Sequence, residues 1–218
     1  LIRAAPQDGT VEDLSGAHAI FAVQGPGSLA ALAECMDVQA ISKLTYFTFA
    51  EAKIRNVPCV VGRLGYTGEP GFEIVLPRAA AEEIWSLLAQ SVRPAGFVAA
   101  DILRIEAGFV LFANEFRVAV TAREAGLERF AGSRTVPTDQ EVALACFRAN
   151  TRETPVLWQP KGVIARPLPG TIAITSACHS RQAGGTLGLG FALQSDVDAG
   201  VPLKDPGGIF TDIRLVSR

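Results

Sequence analysis

Arg63-Leu-Gly-Tyr-Thr-Gly-Glu-Pro-Gly-Phe-Glu-Ile-Val-Leu76 sets three glycines and two carboxylates into an otherwise apolar stretch. The preceding run, Val57 to Leu64, reads as a buried or half-buried strand in which Val57, Val60, Val61 and Leu64 surround Cys59, with Pro58 near its start. Gly65, Gly68 and Gly71 then permit backbone angles or close approaches that a side chain forbids, and Pro70 fixes the turn. Beyond it, period-2 alternation puts Phe72, Ile74 and Leu76 on one face and Gly71, Glu73 and Val75 on the other. Glu73 is therefore a carboxylate in a strand of apolar neighbours. Burying it alone is costly, which leaves three arrangements open: a wet strand edge, an Arg partner, or a ligand that supplies donors. Tyr66 is open between a packing role and a ligand platform, and Glu69 is expected in solvent.

Working outward, Ala19 to Val23 reads as a strand and Pro26 to Glu34 as a helix opened by Gly25-Pro26. Tyr46 to Ile54 reads as a strand, and Ala79 to Gln90 as an amphipathic helix with Ile84, Trp85, Leu87 and Leu88 inward. Asp101 opens an apolar-periodic stretch through Ile102, Leu103, Ile105, Val110 and Leu111, so it is expected at a helix N-terminus, paired with Arg104 three residues on. Glu106 reads as structural in the same way. After about Gly132 the helix signal ends. Val142 to Phe147, Gly162 to Ala165, Thr171 to Thr175, Leu187 to Leu193 and Ile213 to Val216 read as short strands parted by Pro and Gly. The chain is thus expected to be α+β: an α/β layer followed by a small antiparallel barrel.

With 218 residues, 49% hydrophobic and 19% charged, the chain can bury a sizeable core in one or two domains. Residues 1–120 carry 9 Lys and Arg against 13 Asp and Glu, and residues 121–218 carry 11 against 9. The imbalance is slight and no basic run accompanies it, so a nucleic-acid partner is not expected. No apolar run approaches a membrane span and Leu1 to Pro6 lacks a secretory hydrophobic core, so neither a membrane partner nor export is expected. Cys35, Cys59, Cys146 and Cys178 form no C-x-x-C pair and only His18 and His179 accompany them, so no metal is expected. Free buried thiols suit a reducing compartment, and the expected location is cytoplasmic.

The order of several blocks carries a resemblance. Gly65-Tyr-Thr-Gly-Glu-Pro-Gly-Phe-Glu73 is followed by Ala100-Asp-Ile-Leu-Arg-Ile-Glu-Ala-Gly108 and Leu111-Phe-Ala-Asn-Glu115. Val23-Gln-Gly-Pro26 lies upstream, and Thr121-Ala-Arg-Glu-Ala-Gly-Leu127 and Ile174-Thr-Ser-Ala177 downstream. Together, across residues 14 to 205, they resemble the aminomethyltransferase (T protein) family of the glycine cleavage system. The resemblance implies a folate-binding domain over residues 1–131 and a C-terminal β-barrel over 132–218. It also implies tetrahydrofolate as cofactor or substrate and a lipoyl carrier protein as partner.

Glu73 matches the family position whose carboxylate accepts the two-donor edge of the pterin. Tyr66 matches a residue lining the same pocket. Arg63 is a third motif position, expected to orient the carboxylates. Two departures accompany these matches. Ala100 stands where the family has an Arg expected to contact folate, and the family's catalytic Asp lies in an N-terminal segment that this chain is not expected to contain, so no catalytic residue is assigned here; an upstream segment or a partner chain would supply it, or the protein only binds. Thr138 to Glu141 replaces a basic position before the first barrel strand, with Arg134 the nearest base, and Phe130, at about the family's aromatic position, is expected in the core, with a cover over part of the folate cavity as the alternative.

Three functions follow from the resemblance. One is an enzyme that transfers a methylene unit from an aminomethylated carrier to tetrahydrofolate, given the upstream Asp. Another is a folate-binding subunit or regulatory module without transferase activity, which Ala100 favours. The last is a folate-dependent demethylase of a small methylated donor. An interaction protein that has lost folate is a weaker reading.

Overall fold

The computed structural model describes residues 11–131, 140–151 and 156–216. The chain divides into two units, residues 1–65 with 69–95, and residues 66–68 with 96–218. The boundary expected between residues 131 and 132 adjoins residues 132–139, which lie outside the described ones, as do Arg134 and Thr138.

In the first unit, strands β1 (His18–Gln24), β2 (Phe49–Ile54), β3 (Val57–Gly62) and β4 (Gly71–Pro77) form an antiparallel sheet in the order β1-β4-β3-β2. Helices α1 (Ser28–Ala33) and α2 (Ala81–Leu88) complete it. The alternation expected for β4 is present: Phe72, Ile74 and Leu76 are buried with Val23, Val61, Ile54, Leu32 and Ile84 in one apolar cluster. The opposite face carries Ala22, Glu73 and Gly62 in register. Two expectations need correction. Trp85 is 47% exposed rather than inward, because the helix buries the i, i+4 pair Ile84 and Leu88 and leaves Trp85 to touch Phe21 edge-on at 5.5 Å. Strand β2 starts at Phe49, not Tyr46, because Thr48 Oγ1 donates to Thr45 O at 2.7 Å and Phe47 takes a left-handed φ of 68°, a turn conformation that a strand cannot continue.

The second unit holds α3 (Phe97–Glu106), α4 (Phe112–Glu115), β5 (Val142–Thr151), β6 (Leu157–Trp158), β7 (Ile172–Ser180), β8 (Gly185–Leu193), α5 (Gln194–Ala199) and β9 (Phe210–Val216). Its strands make one antiparallel sheet in the order β6-β7-β8-β5-β9, so β6 and β9 are its edges. Two antiparallel sheets with helices give the α+β class expected from sequence. Local differences have local causes. Residues 162–165 make no strand beyond a single parallel bridge from Ile164 to Val118. The short helix α5 follows β8 directly and stops at Gly200, whose φ of 64° provides the left-handed cap. Phe130 is 58% exposed under the Arg129 guanidinium, and so is not a core residue. Asp101 sits in the middle of α3 rather than at its start. Gly96, with extended backbone, takes the N-cap position, and the first turn shows Phe97 and Val98 to solvent, outside the buried stripe that periodicity detects.

The centre of this sheet depends on small residues in β8. Phe147 on β5 lies across from Gly188, and a Cβ there would come within 2.3 Å of the Phe147 ring and 2.7 Å of Ser176 O. Gly188→Ala is therefore expected to lower unfolding stability by about 1–3 kcal/mol, read as a drop in urea midpoint. A midpoint equal to that of the parent would show that the ring has room to move.

Candidate functional site

The turn after β3 is held from several sides. Gly25 N donates to Pro70 O at 2.7 Å and Arg63 Nη1 to Gly71 O at 3.2 Å. The Arg63 guanidinium lies 4.8 Å from the Phe72 ring centroid and 5.1 Å from that of Tyr46, positions suited to cation–π attraction. Arg63 is thus fixed on the turn backbone and two rings. Glu73 is half-buried on β4, and among the described residues its carboxylate has neither a hydrogen-bond nor an ion-pair partner. Of the three arrangements open for this carboxylate, an Arg partner is therefore not the one found. Arg63 and Glu73 both belong to the first unit and Tyr66 to the second.

Tyr66 is 39% exposed. Its ring stacks on Phe109 with centroids 6.0 Å apart, and its hydroxyl donates to Val110 O. Burial pushes that hydroxyl up to about 12, with the Arg104 charge opposing and those of Glu115 and Asp101 adding to the shift. Tyr66 therefore stays a neutral donor through the whole physiological pH range. The turn is tight on this side too: Gly68 has φ 76°, and a Cβ on it would lie 2.5 Å from Ala107 Cβ.

Behind Tyr66 in the same unit is a buried polar network centred on Arg104 and Glu115, both 0% exposed. Arg104 Nε donates to Asp101 at 2.6 Å, Nη1 to Glu115 at 2.9 Å and to Phe109 O at 3.1 Å, and Nη2 to Ser176 Oγ at 2.7 Å. Glu115 also accepts from Leu111 N at 2.5 Å and Ser176 Oγ at 2.5 Å, with Thr175 Oγ1 at 2.9 Å. Consecutive strand residues normally point to opposite faces. Here the register of β7 against β8 shifts between Ile174 and Ser176, and this bulge lets both hydroxyls reach one carboxylate oxygen. The expected Asp101–Arg104 pair is present. Glu115, Asn114, Thr175 and Ser176 were not singled out from sequence, although they are the polar members of the Leu111–Glu115 and Ile174–Ala177 blocks. A polar pair inside a short apolar block was the available signal.

The remaining candidates are inert or elsewhere. Burial pushes the Cys178 thiol up to about 12, and adjacent His179 is exposed on the opposite face of β7. Among the described residues no three His, Cys, Asp or Glu side chains converge on a point, and no helix is long and apolar enough to cross a membrane. An open cleft of 1050 Å³ in the first unit, beside Asp37, Glu51, Lys53 and Arg55, includes none of Arg63, Tyr66 and Glu73.

A sequence model of the family described as GCVT N-terminal domain matches residues 1–134. The chain belongs to this family. The aminomethyltransferase of Xanthomonas axonopodis pv. citri (strain 306) is 44% identical over 130 residues, covering 57% of this chain and 35% of that protein. That of Thermoanaerobacter sp. (strain X514) is 39% identical over 126 residues, covering 55% and 34%. The chain thus spans about a third of the length of these curated relatives. The crystal structure of glycine cleavage system aminomethyltransferase T from Bartonella henselae superposes with a TM-score of 0.55 at 24% identity, covering 82% of this chain and 52% of that one, a likeness of fold. The T-protein resemblance read from the blocks is borne out.

Because this family member seals both charges of the Arg104–Glu115 pair from water, removing one leaves the other buried and unpaired. Arg104→Met and Glu115→Leu are each expected to cost about 3–5 kcal/mol, while the double substitution costs less than the two singles added. A double-mutant cycle in urea with strictly additive losses would show that the two side chains act independently.

Proposed function

We propose that this chain is the folate-binding part of an aminomethyltransferase-like protein of the glycine cleavage T-protein family, which passes a one-carbon (methylene) unit to tetrahydrofolate. The observation that carries the reading is Glu73, a half-buried carboxylate unpartnered among the described residues, which the motif resemblance assigns to the pterin anchor. A pterin offers a ring N–H beside an exocyclic amine, and a carboxylate accepts both at once. That supply of donors is what the half-buried Glu73 lacks. Arg63 keeps the turn before Glu73 in place through Gly71 O. Tyr66 is assigned to the same ligand by its motif position, as an aromatic face with a hydroxyl that stays protonated.

None of these residues moves a proton in the reaction. Their contribution is orientation, holding the nucleophilic nitrogen of the folate against the aminomethyl carbon, a factor that lowers barriers by removing the entropy of encounter. No proton-handling carboxylate is assigned among these residues. A lipoyl carrier protein is the proposed donor of the aminomethyl group, and the proposed location is the cytoplasm. The aminomethyltransferase names of the relatives favour the glycine cleavage reaction over a demethylase.

Ala100 favours the second reading, a folate-binding module without transferase activity. It occupies the fourth position of α3, half-buried, where the family Arg would add a charged donor.

Saturating tetrahydrofolate is expected to raise the thermal midpoint of the protein, since a ligand that binds only the native state must stabilise it. Glu73→Ala is expected to weaken binding about 100-fold, the loss of two hydrogen bonds to a charged acceptor, and to remove the midpoint shift. An unshifted midpoint in the parent protein, or an unchanged affinity in Glu73→Ala, would sink the reading. Ala100→Arg tests the departure: tighter tetrahydrofolate binding in titration calorimetry is expected where the family geometry persists, and weaker binding would show a remodelled wall.

A further inference from the structure

Gln24 is the last residue of β1, and its ladder partner is Gly71, the first residue of β4. It lies on the same face of the sheet as Ala22 and Glu73, two residues further along. Its side chain runs back across the glycine-rich turn. Nε2 donates to Leu64 O at 3.1 Å and to Phe72 O at 3.2 Å, so one amide joins the backbone entering the turn to the backbone leaving it. Both N–H protons of that nitrogen are used, and only an amide nitrogen at this length offers two donors without a charge.

The glycines on either side are shaped to this side chain. A Cβ on Gly65 or on Gly71 would lie 2.2 Å from Gln24 Oε1. Neither glycine has a left-handed φ, unlike Gly68. At 65 and 71 a Cβ would displace the end of the Gln24 side chain, whereas at 68 the backbone angle itself requires glycine. Two further contacts from the segment after Gln24 brace the same turn: Gly25 N donates to Pro70 O at 2.7 Å, and Ser28 Oγ to the same oxygen at 3.4 Å.

We infer that Gln24 is a positioning residue for Glu73. Its amide fixes the Phe72 carbonyl, which belongs to the peptide group joining Phe72 to Glu73, and thereby sets the height and direction from which the carboxylate meets the pterin edge. The inference rests on the tetrahydrofolate reading above and adds to it a residue that need not touch the ligand. A carboxylate used as a bidentate acceptor tolerates little rotation, so loosening the backbone beside it weakens binding even though the carboxylate is still present.

The test compares the whole chain with Gln24→Met, which keeps the side-chain length and removes both donors. Amide hydrogen exchange over residues 64–72 and tetrahydrofolate affinity by calorimetry are measured on both. Exchange in the turn is expected to quicken about tenfold or more, with Val61 and Ile74 amides unchanged, and affinity to fall by about tenfold or more, the loss of two neutral hydrogen bonds that hold the anchor. Gly71→Ala is expected to reproduce both effects by evicting Gln24, and adding Gln24→Ala to it should bring no further loss. This second route carries the test if Gln24→Met does not fold.

Parent-like exchange and affinity in Gln24→Met would overturn the inference. Faster exchange with parent-like affinity would also overturn it, leaving Gln24 as a structural staple only. A parent protein that binds no tetrahydrofolate would instead refute the functional reading, and the positioning role with it. A parent that binds, beside a Gln24→Met protein that binds equally well, would refute this inference alone.

Discussion

The Arg104 guanidinium has no contact with water, and that constraint organises the second unit. A buried cation must find acceptors in nearly every direction that it offers a proton. Those acceptors come from α3 itself, from the loop after it, from α4 and from β7. Segments separated by some seventy residues of sequence are thereby tied to one point. Blocks that look unrelated when read along the chain, Ala100–Gly108, Leu111–Glu115 and Ile174–Ala177, are one network in space. The bulge in β7 belongs to the same requirement, since without it only one of Thr175 and Ser176 would face Glu115. A second network of this kind serves Thr121–Leu127, where Glu124 accepts from Thr121 N and from Arg166. Burial alone would raise its carboxyl, and the hydrogen bonds and the Arg166 charge outweigh that and hold it below the usual carboxylate range.

The first unit is held together differently. Its buried cluster is wholly apolar, built from the inward sets of four strands and from α1 and α2. Such a core fixes register, because a slip of one residue would turn Phe72, Ile74 and Leu76 outward. It does not by itself fix the turn between β3 and β4, where three glycines leave the backbone with more freedom than any other sequence would. The freedom is removed by polar contacts to backbone carbonyls, from Gln24, from Gly25 and from Arg63.

The difference between these two kinds of constraint explains what could be read from the sequence. Strands and faces set by apolar periodicity were legible: β3, β4, β8 and β7 as far as Thr175, and the alternation that sends Glu73 to the face opposite Ile74. So was the i, i+3 pairing of Asp101 with Arg104, a matter of helix geometry. What periodicity does not encode was lost. The start of β2 was displaced by the left-handed Phe47, the start of α3 by an exposed apolar first turn, and Trp85 was sent inward because a large aromatic counts as buried in any pattern. Glu115 and Ser176 were passed over for a related reason. Each is one polar residue in a short block, and its partners are distant in sequence. Gln24 was quoted within a block, but its reach across the turn to Leu64 and Phe72 depends on tertiary register.

Glu73 and Glu115 show why a carboxylate's surroundings say more about its role than its burial does. Glu115 is sealed from solvent, and its two oxygens share four donors from the protein. Nothing remains for a ligand to satisfy, and approach would mean breaking the network. Glu73 is less buried, yet among the described residues its oxygens have no donor, although an Arg stands ten residues away in sequence on the neighbouring turn. That Arg is spent on Gly71 O and on two aromatic rings. Had it paired with Glu73, the pair would have been satisfied and closed to donors from outside. A strand whose backbone is fixed from several directions, carrying an acceptor that the protein leaves open, has the form expected of a binding residue. In the proposed reading, a ligand with two adjacent donors supplies the partners that the described residues do not give this carboxylate.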